Sequence, residues 1–268
     1  MFRSGQRTDR RQRGLTLLEM GLSLFTAGVI LSAVMVATSS SGSRTASAEA
    51  AYFDAIVDAL LVFARRNHRL PCPDVNGDGE EDIECPPLVR AGGVPYTTLG
   101  IELAVPVGEG VDVKYVYGVY RGGGDVTRDL TRRAERSQPQ PHPAGTARFE
   151  DGDDFRQALI NAFRAPLTQA DALVVSRQAT VPLQCNSQAV NNVAFVVAFA
   201  GVEDRNGSGS LFDGPHLQIG GWSPQTRWSS VTANTCYASP VREPSQAYDD
   251  QIRAMAFLQL LGFLSEKG

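Results

Sequence analysis

The chain has 268 residues, 43% of them hydrophobic and 20% charged, with a formal net charge of −4. That length suffices for one large or two small domains with a real core, and the lack of a basic excess argues against a nucleic-acid partner. The charge is uneven: Arg3, Arg7, Arg10, Arg11 and Arg13 stand at the start against Asp9 alone, so the remainder is more acidic than the total implies.

The first predicted element is the apolar run Leu15–Ala37, interrupted by one ionisable residue, Glu19. As a helix it spans about 34 Å, enough to cross a bilayer, with the arginines held on the cytoplasmic side and the rest of the chain outside. Three readings compete. A cleaved secretory signal explains the basic start, and Ala46-Ser47-Ala48 offers a cleavage site, but a signal core is usually shorter and lacks a carboxylate. A plain membrane anchor fits the length and leaves Glu19 unexplained, at a cost on the order of 3 kcal/mol in mid-membrane.

The third reading accounts for both features. The stretch RG-LTLLE resembles the processing signature of type IV prepilins and type II secretion pseudopilins. The resemblance implies that a prepilin peptidase cuts after Gly14 and methylates the new N-terminus at Leu15, where phenylalanine is commoner. Glu19 then becomes the fifth mature residue. Its carboxylate meets the positive amine of a neighbouring subunit's first residue, each charge offsetting the other in an apolar setting.

After the polar stretch TSSSGS, the sequence EAAYFDAIVDALLVFARRN places Phe53, Ile56, Val57, Leu60, Leu61 and Ala64 at helical spacing, with Asp54, Asp58, Arg65 and Arg66 on other faces. This predicts a core-facing helix that stops near His68, because Pro71 and Pro73 follow. The resemblance implies the corresponding fold: α+β and pilin-like, with a long N-terminal helical spine, membrane-spanning in its first half, packed on an antiparallel β-sheet head with extra loops and a C-terminal helix. The implied divisions are a leader (1–14), an assembly helix (15–37), the second half of the spine (38–70) and the head (71–268).

RLPCPDVNGDGEEDIECPP comes next. It resembles a segment in a subset of prepilin-like proteins that pairs an RLPCPD stretch and an acidic Gly-Asp-Gly loop with a later PYTTLGI-like stretch, here Pro95–Ile101. The Trp-Gly stretch expected after it is replaced by AVPVGEGVDVKYVY. The acidic loop also has the spacing of a calcium loop. With Asp74 as position 1, Asn76 falls at 3, Asp78 at 5, Gly79 at 6, the Glu80 carbonyl at 7 and Asp82 at 9. The twelfth position is Cys85 instead of a bidentate glutamate, leaving Glu81 or Glu84 to substitute. The competing reading is a solvated acidic turn clamped by Cys72 and Cys85. Calcium, if held here, is a structural clip.

The four cysteines, Cys72, Cys85, Cys185 and Cys236, form no CxxC, which argues against a zinc ribbon or a redox motif. For an exported body, Cys72–Cys85 with Cys185–Cys236 is the simplest of the three connectivities; four free buried cysteines require a cytoplasmic body.

Val111–Tyr120 alternates as a strand, half-buried at its start, with Tyr115, Tyr117 and Val119 on one face. Gly122–Gly145 reads as a long exposed loop. Asp153 or Asp154 caps a helix running to Ala165, with Phe155, Leu159 and Phe163 on its apolar face. Ala172–Arg177 and Asn192–Gly201 read as buried strands. EDRNGSGSLFDGPH reads as a flexible loop, where Asp204, Asn206 and Asp213 are weak cation candidates beside abundant glycine and serine. Trp222 and Trp228 flank a turn. A substantially buried helix is predicted from Gln246 to Leu264.

The chain has three histidines, His68, His142 and His216, and no HExxH, GxSxG or P-loop motif, so catalysis is not expected. The resemblance implies a structural minor pilin or pseudopilin subunit, minor because the head is large. It would sit in the inner membrane as a single-pass protein with a periplasmic head before joining a filament or the cell surface. Its partners would be prepilin peptidase and other pilin or pseudopilin subunits. Two other classes stay open: a pilin-anchored adhesion or ligand-binding module, and an anchored periplasmic enzyme.

Overall fold

The computed structural model describes residues 51–82, 85, 89–101, 115–132, 152–166, 191–201, 207, 212, 213, 216, 237–241, 243, 245 and 248–266. The chain divides into two compact units, Met1–Ala50 and Ala51–Gly268. The first unit, and with it the run Leu15–Ala37, lies outside the described residues. Among those described, no helix is long and apolar enough to cross a membrane.

The second unit is α+β. Its centre is a four-stranded antiparallel sheet of β1 (Ala91–Gly93), β2 (Tyr115–Val119), β3 (Phe195–Phe199) and β4 (Gln251–Met255), ordered β1-β2-β3-β4. The inner strands read YVYGV and FVVAF, aromatic and β-branched residues that suit a pleated, covered surface. Every residue of both is buried, because both faces of the sheet are covered.

Helix α1 (51–67) covers the first face. Phe53, Ile56, Leu60 and Ala64 are buried, as their spacing predicts, while Asp54, Asp58, Arg65 and Arg66 are exposed. Phe53 meets Tyr115 and Phe199 at 6.1 and 6.0 Å between ring centroids, and those two rings stack at 4.8 Å. Each buried aromatic contributes about 1.5–3 kcal/mol, so this cluster fixes the helix on the sheet. The helix ends as expected: His68 turns to φ +52, its N–H bonded to Ala64 O at 3.0 Å. On the opposite face the Tyr237 ring lies over Gly118, where a Cβ would come within 3.2 Å of Tyr237 Oη.

Among the described residues the unit holds three further α-helices: α2 (Tyr96–Leu99), α3 (Gly152–Arg164) and α4 (Phe257–Ser265). Arg65 and Arg156 donate to Phe263 O (2.8 Å) and Leu264 O (3.4 Å), meeting the carbonyls at the end of α4 and tying it to α1 and α3.

Several expectations are corrected. The chain from Gln246 to Leu264 is not one helix. Gln251–Met255 is strand β4, because the free edge of β3 supplies hydrogen-bond partners through five residue pairs. The helix begins only at Phe257, where Gln259 Oε1 accepts the Ala256 N–H at 3.0 Å. That helix is also less buried than predicted: Phe257 and Leu260 are covered while Leu258 is 52% exposed. Helix α3 starts at Gly152, so Asp153 and Asp154 sit in its first turn instead of capping it, and Phe163 points outward at 54% exposure. Residues 122–132 are no simple exposed loop: they form two 3₁₀ turns, Gly122–Gly124 and Val126–Arg128, and bury Leu130 and Thr131. The predicted strand Ala172–Arg177, the start of the strand before Tyr115, Trp222, Trp228 and His142 lie outside the described residues.

Candidate functional site

The acidic turn begins where Asp74 pairs with Gly93 on the outer edge of β1 (Asp74 N to Gly93 O 3.1 Å, Gly93 N to Asp74 O 2.7 Å). Gly92 permits the approach, since a Cβ there would lie 2.7 Å from Asp74 O. The turn then closes on its own side chains. Asp74 Oδ1 accepts Gly77 N–H at 2.6 Å and Oδ2 accepts Gly79 N–H at 2.7 Å. Asn76 Oδ1 accepts Asp78 N–H and Asn76 Nδ2 donates to Asp78 Oδ2, both at 2.8 Å. Asp78 Oδ1 accepts Glu80 N–H at 2.8 Å, and Asp82 Oδ2 accepts Val75 N–H at 2.7 Å. Gly77 and Gly79 take φ of +79 and +83, the left-handed region glycine tolerates. A Cβ on Gly79 would also collide with the Tyr96 ring.

Burial raises the pKa of Asp74, the Gly79 and Gly77 N–H groups pull it down, and nearby Asp78 and Asp82 add to the rise. Asp78 and Glu80, by contrast, are exposed.

Ion pairs and a disulfide pin the turn to the sheet. Arg69 grips Glu81 with two 2.6 Å contacts, and Glu81 Oε2 also accepts Cys72 N–H at 3.2 Å. Glu81 is thereby committed and does not substitute for a twelfth calcium ligand; Glu84 lies outside the described residues. Cys72 and Cys85 form a disulfide with their Cα atoms 5.8 Å apart. Buried Arg121 bonds Asp129 (3.0 and 3.1 Å), Val89 O (2.8 Å) and Cys85 O (3.2 Å). Tyr117 of β2 donates its hydroxyl to Pro71 O at 3.1 Å, and burial holds its pKa well above the usual phenol value.

The predicted calcium ligands Asp74, Asn76, Asp78, Glu80 and Asp82 therefore share one turn. They fit a hard cation in part: the side chains are oxygen-bearing and Gly79 makes the sharp bend, but among the described residues no bidentate acid completes the set. Of the remaining predicted site residues, Gly14, Leu15, Glu19, Cys185 and Cys236 lie outside the described residues, as do Asp204 and Asn206.

A second polar cluster was not foreseen. Phe212, Asp213 and His216, expected in a flexible loop, are almost completely buried. His216 Nδ1 lies 2.6 Å from Asp250 Oδ2, and Nε2 accepts the Ala238 N–H at 2.8 Å. With Nε2 an acceptor, the proton sits on Nδ1 and points at Asp250. Both Asp250 oxygens also accept Asp213 N–H at 3.1 Å. Burial raises the Asp250 pKa, while the hydrogen bonds from His216 and from the Asp213 N–H oppose the rise. Phe212, Tyr237 and Tyr248 surround the imidazole. Asp213, Asp249 and Asp250 each offer an oxygen within 4.8 Å of the others, close enough to share a cation, although Asp250 is already engaged. Beside them a cavity of about 210 Å³ is lined by Ser239, Pro240, Tyr248, Asp250, Gln251, Ile252 and Arg253. The sequence carried only a faint signal of this cluster: Asp213 as a weak cation candidate, the adjacent acids Asp249-Asp250 and one of three histidines.

No protein-family model, curated protein or solved structure matches the chain.

Proposed function

We propose that this chain is a prepilin-like precursor: inserted in the inner membrane with its head outside, cut between Gly14 and Leu15 by prepilin peptidase, and assembled as a minor subunit of a type IV pilus or a type II secretion pseudopilus. One observation carries the reading. An arginine-rich leader, Gly14, a glutamate at the fifth residue of the run and an apolar stretch to Ala37 occur together at the spacing that processing and assembly require. Each feature alone has a bland explanation; only this reading gives Glu19 a role. The cut creates the positive amine at Leu15, and that amine is the charge a buried carboxylate needs on an adjacent subunit.

Two further features support it. Helix α1 packs its apolar stripe on an antiparallel sheet, the arrangement expected where a spine enters a head. The Cys72–Cys85 disulfide suits an oxidising compartment outside the cytoplasm. Calcium enters the proposal as a weak structural ligand of the 74–82 turn. Without a bidentate twelfth ligand, its affinity belongs in the range of extracellular modules, about 10⁻⁴–10⁻³ M.

Mass spectrometry of the mature chain tests processing: an N-methylated Leu15 is expected, and an N-terminus at Glu49 points instead to a secretory signal. Glu19→Ala tests assembly, with cleavage retained and incorporation into filaments lost; normal incorporation removes the role given to Glu19. Melting in calcium against melting in chelator tests the ion alone, and equal curves remove calcium while leaving the rest of the proposal standing.

A further inference from the structure

The acidic turn contains an Asn-Gly dipeptide, Asn76-Gly77, whose chemistry is independent of the function proposed above. In an open chain such a pair loses ammonia. The Gly77 nitrogen gives up its proton and attacks Asn76 Cγ, the new N–C bond closes a succinimide ring, and the Cγ–Nδ2 bond breaks, Nδ2 leaving as ammonia with that proton. Water then opens the ring at either carbonyl, giving aspartate or isoaspartate. The net change is one water consumed and one ammonia released. Glycine favours the attack because no side chain shields its nitrogen. Asn76 is exposed, so water is at hand.

In the closed turn every participant is tied down. The Gly77 N–H is held by Asp74 Oδ1 at 2.6 Å, so the nitrogen would have to develop negative charge against a carboxylate. The Asn76 amide is clasped at both ends by Asp78, through the Asp78 N–H on Oδ1 and Oδ2 on Nδ2, each at 2.8 Å. Turning Cγ toward the Gly77 nitrogen breaks both bonds.

We propose that Asn76-Gly77 is a latent deamidation site, held inert by the closed turn and released when the turn opens. The reaction then runs at the open fraction of the turn multiplied by the rate of the unstructured dipeptide. Its products change the loop. Aspartate adds a carboxylate beside Asp74, Asp78 and Asp82, and isoaspartate lengthens the backbone inside the span that Asp74 bridges.

The full-length protein, in detergent with the Cys72–Cys85 disulfide intact, is incubated at mildly alkaline pH in native buffer and in guanidinium. Peptide mapping then reads the amide-to-acid mass gain and isoaspartate content at residue 76, separately from the second such dipeptide, Asn206-Gly207. Native protein is expected to convert at least about tenfold more slowly than denatured protein. Asp78→Ala, at an exposed position, should speed native conversion about twofold, the gain that a loss of about 0.5 kcal/mol gives to the open fraction, with circular dichroism reporting its folding. Equal rates for native and denatured wild type overturn the proposal, as does a folded Asp78→Ala protein that converts no faster than wild type. Should that variant not fold, the wild-type comparison alone decides.

Discussion

The acidic turn at 74–82 and the buried His216–Asp250 cluster both gather carboxylates against backbone N–H groups, but they are built by opposite routes. The turn is local: Asp74 reaches Gly79 five residues away, and Asn76 and Asp78 serve neighbours two residues on. The cluster is assembled from afar, with Asp250 meeting His216 and Asp213 across 34 and 37 residues. Local closure leaves Asn76, Asp78 and Glu80 in water, where losing a contact costs little. Long-range closure leaves almost nothing in water, where each polar group must be matched. The cluster should therefore be brittle and the turn's outer rim tolerant.

The largest expected effect follows from that contrast. Asp250→Ala strands His216 Nδ1–H and Asp213 N–H in the interior and should cost about 3–5 kcal/mol, read by urea unfolding. A loss under about 1 kcal/mol would mean that water enters the cluster, and the contrast would fail.

Next comes a part of the turn that behaves like the cluster. Glu81→Ala leaves the Arg69 guanidinium buried without its bidentate partner, and the expected loss is about 3 kcal/mol. Asp78→Ala, a few residues away, should stay within about 0.5 kcal/mol because its partners turn to solvent. Equal losses for the two variants would erase the distinction between anchor and rim.

The same distinction governs what was legible in the sequence. Helix α1 and strand β2 were read from periodicity, since Phe53, Ile56 and Leu60 or Tyr115, Tyr117 and Val119 announce their faces within a few residues, and β3 was read from its continuous apolar run. The turn was read because its acids alternate at short spacing around Gly77 and Gly79. Strand β4 was misread because Tyr248, Ile252 and Met255 also fit a helical period. What decides for strand is the open edge of β3, which no local window contains. Asp213 and His216 read as part of a flexible loop among glycine and serine for the same reason: their partners Asp250 and Ala238 are supplied by distant chain. The ion pair of Arg69 with Glu81 escaped notice too, since Glu81 reads locally as one more acid of the loop.

The seam between the turn and the sheet gives a smaller effect. Tyr117→Phe removes the hydroxyl that reaches Pro71 O while keeping the ring in the core, and should cost about 1 kcal/mol in thermal or urea melts. No change would show that the seam is held by the disulfide and ion pairs alone.

The smallest expected effect is a slope with pH, and it compares the two regions directly. Burial raises the pKa of both Asp74 and Asp250 above the ordinary carboxylate value. Between the unfolded and the raised folded pKa, the native state binds more protons than the unfolded chain, so each group's contribution to stability is full at low pH and falls as pH rises through that window. Asp74→Asn and Asp250→Asn remove the titration, and the neutral side chain also disturbs one N–H contact, an offset that does not vary with pH. The stability of wild type minus that of each variant should therefore decrease from acid to neutral pH and then level off. Solvent at the turn's rim should make the Asp74 difference the shallower of the two. A difference that grows with pH for Asp74 would mean that the Gly77 and Gly79 N–H groups outweigh its burial, and that the turn favours its carboxylate charged.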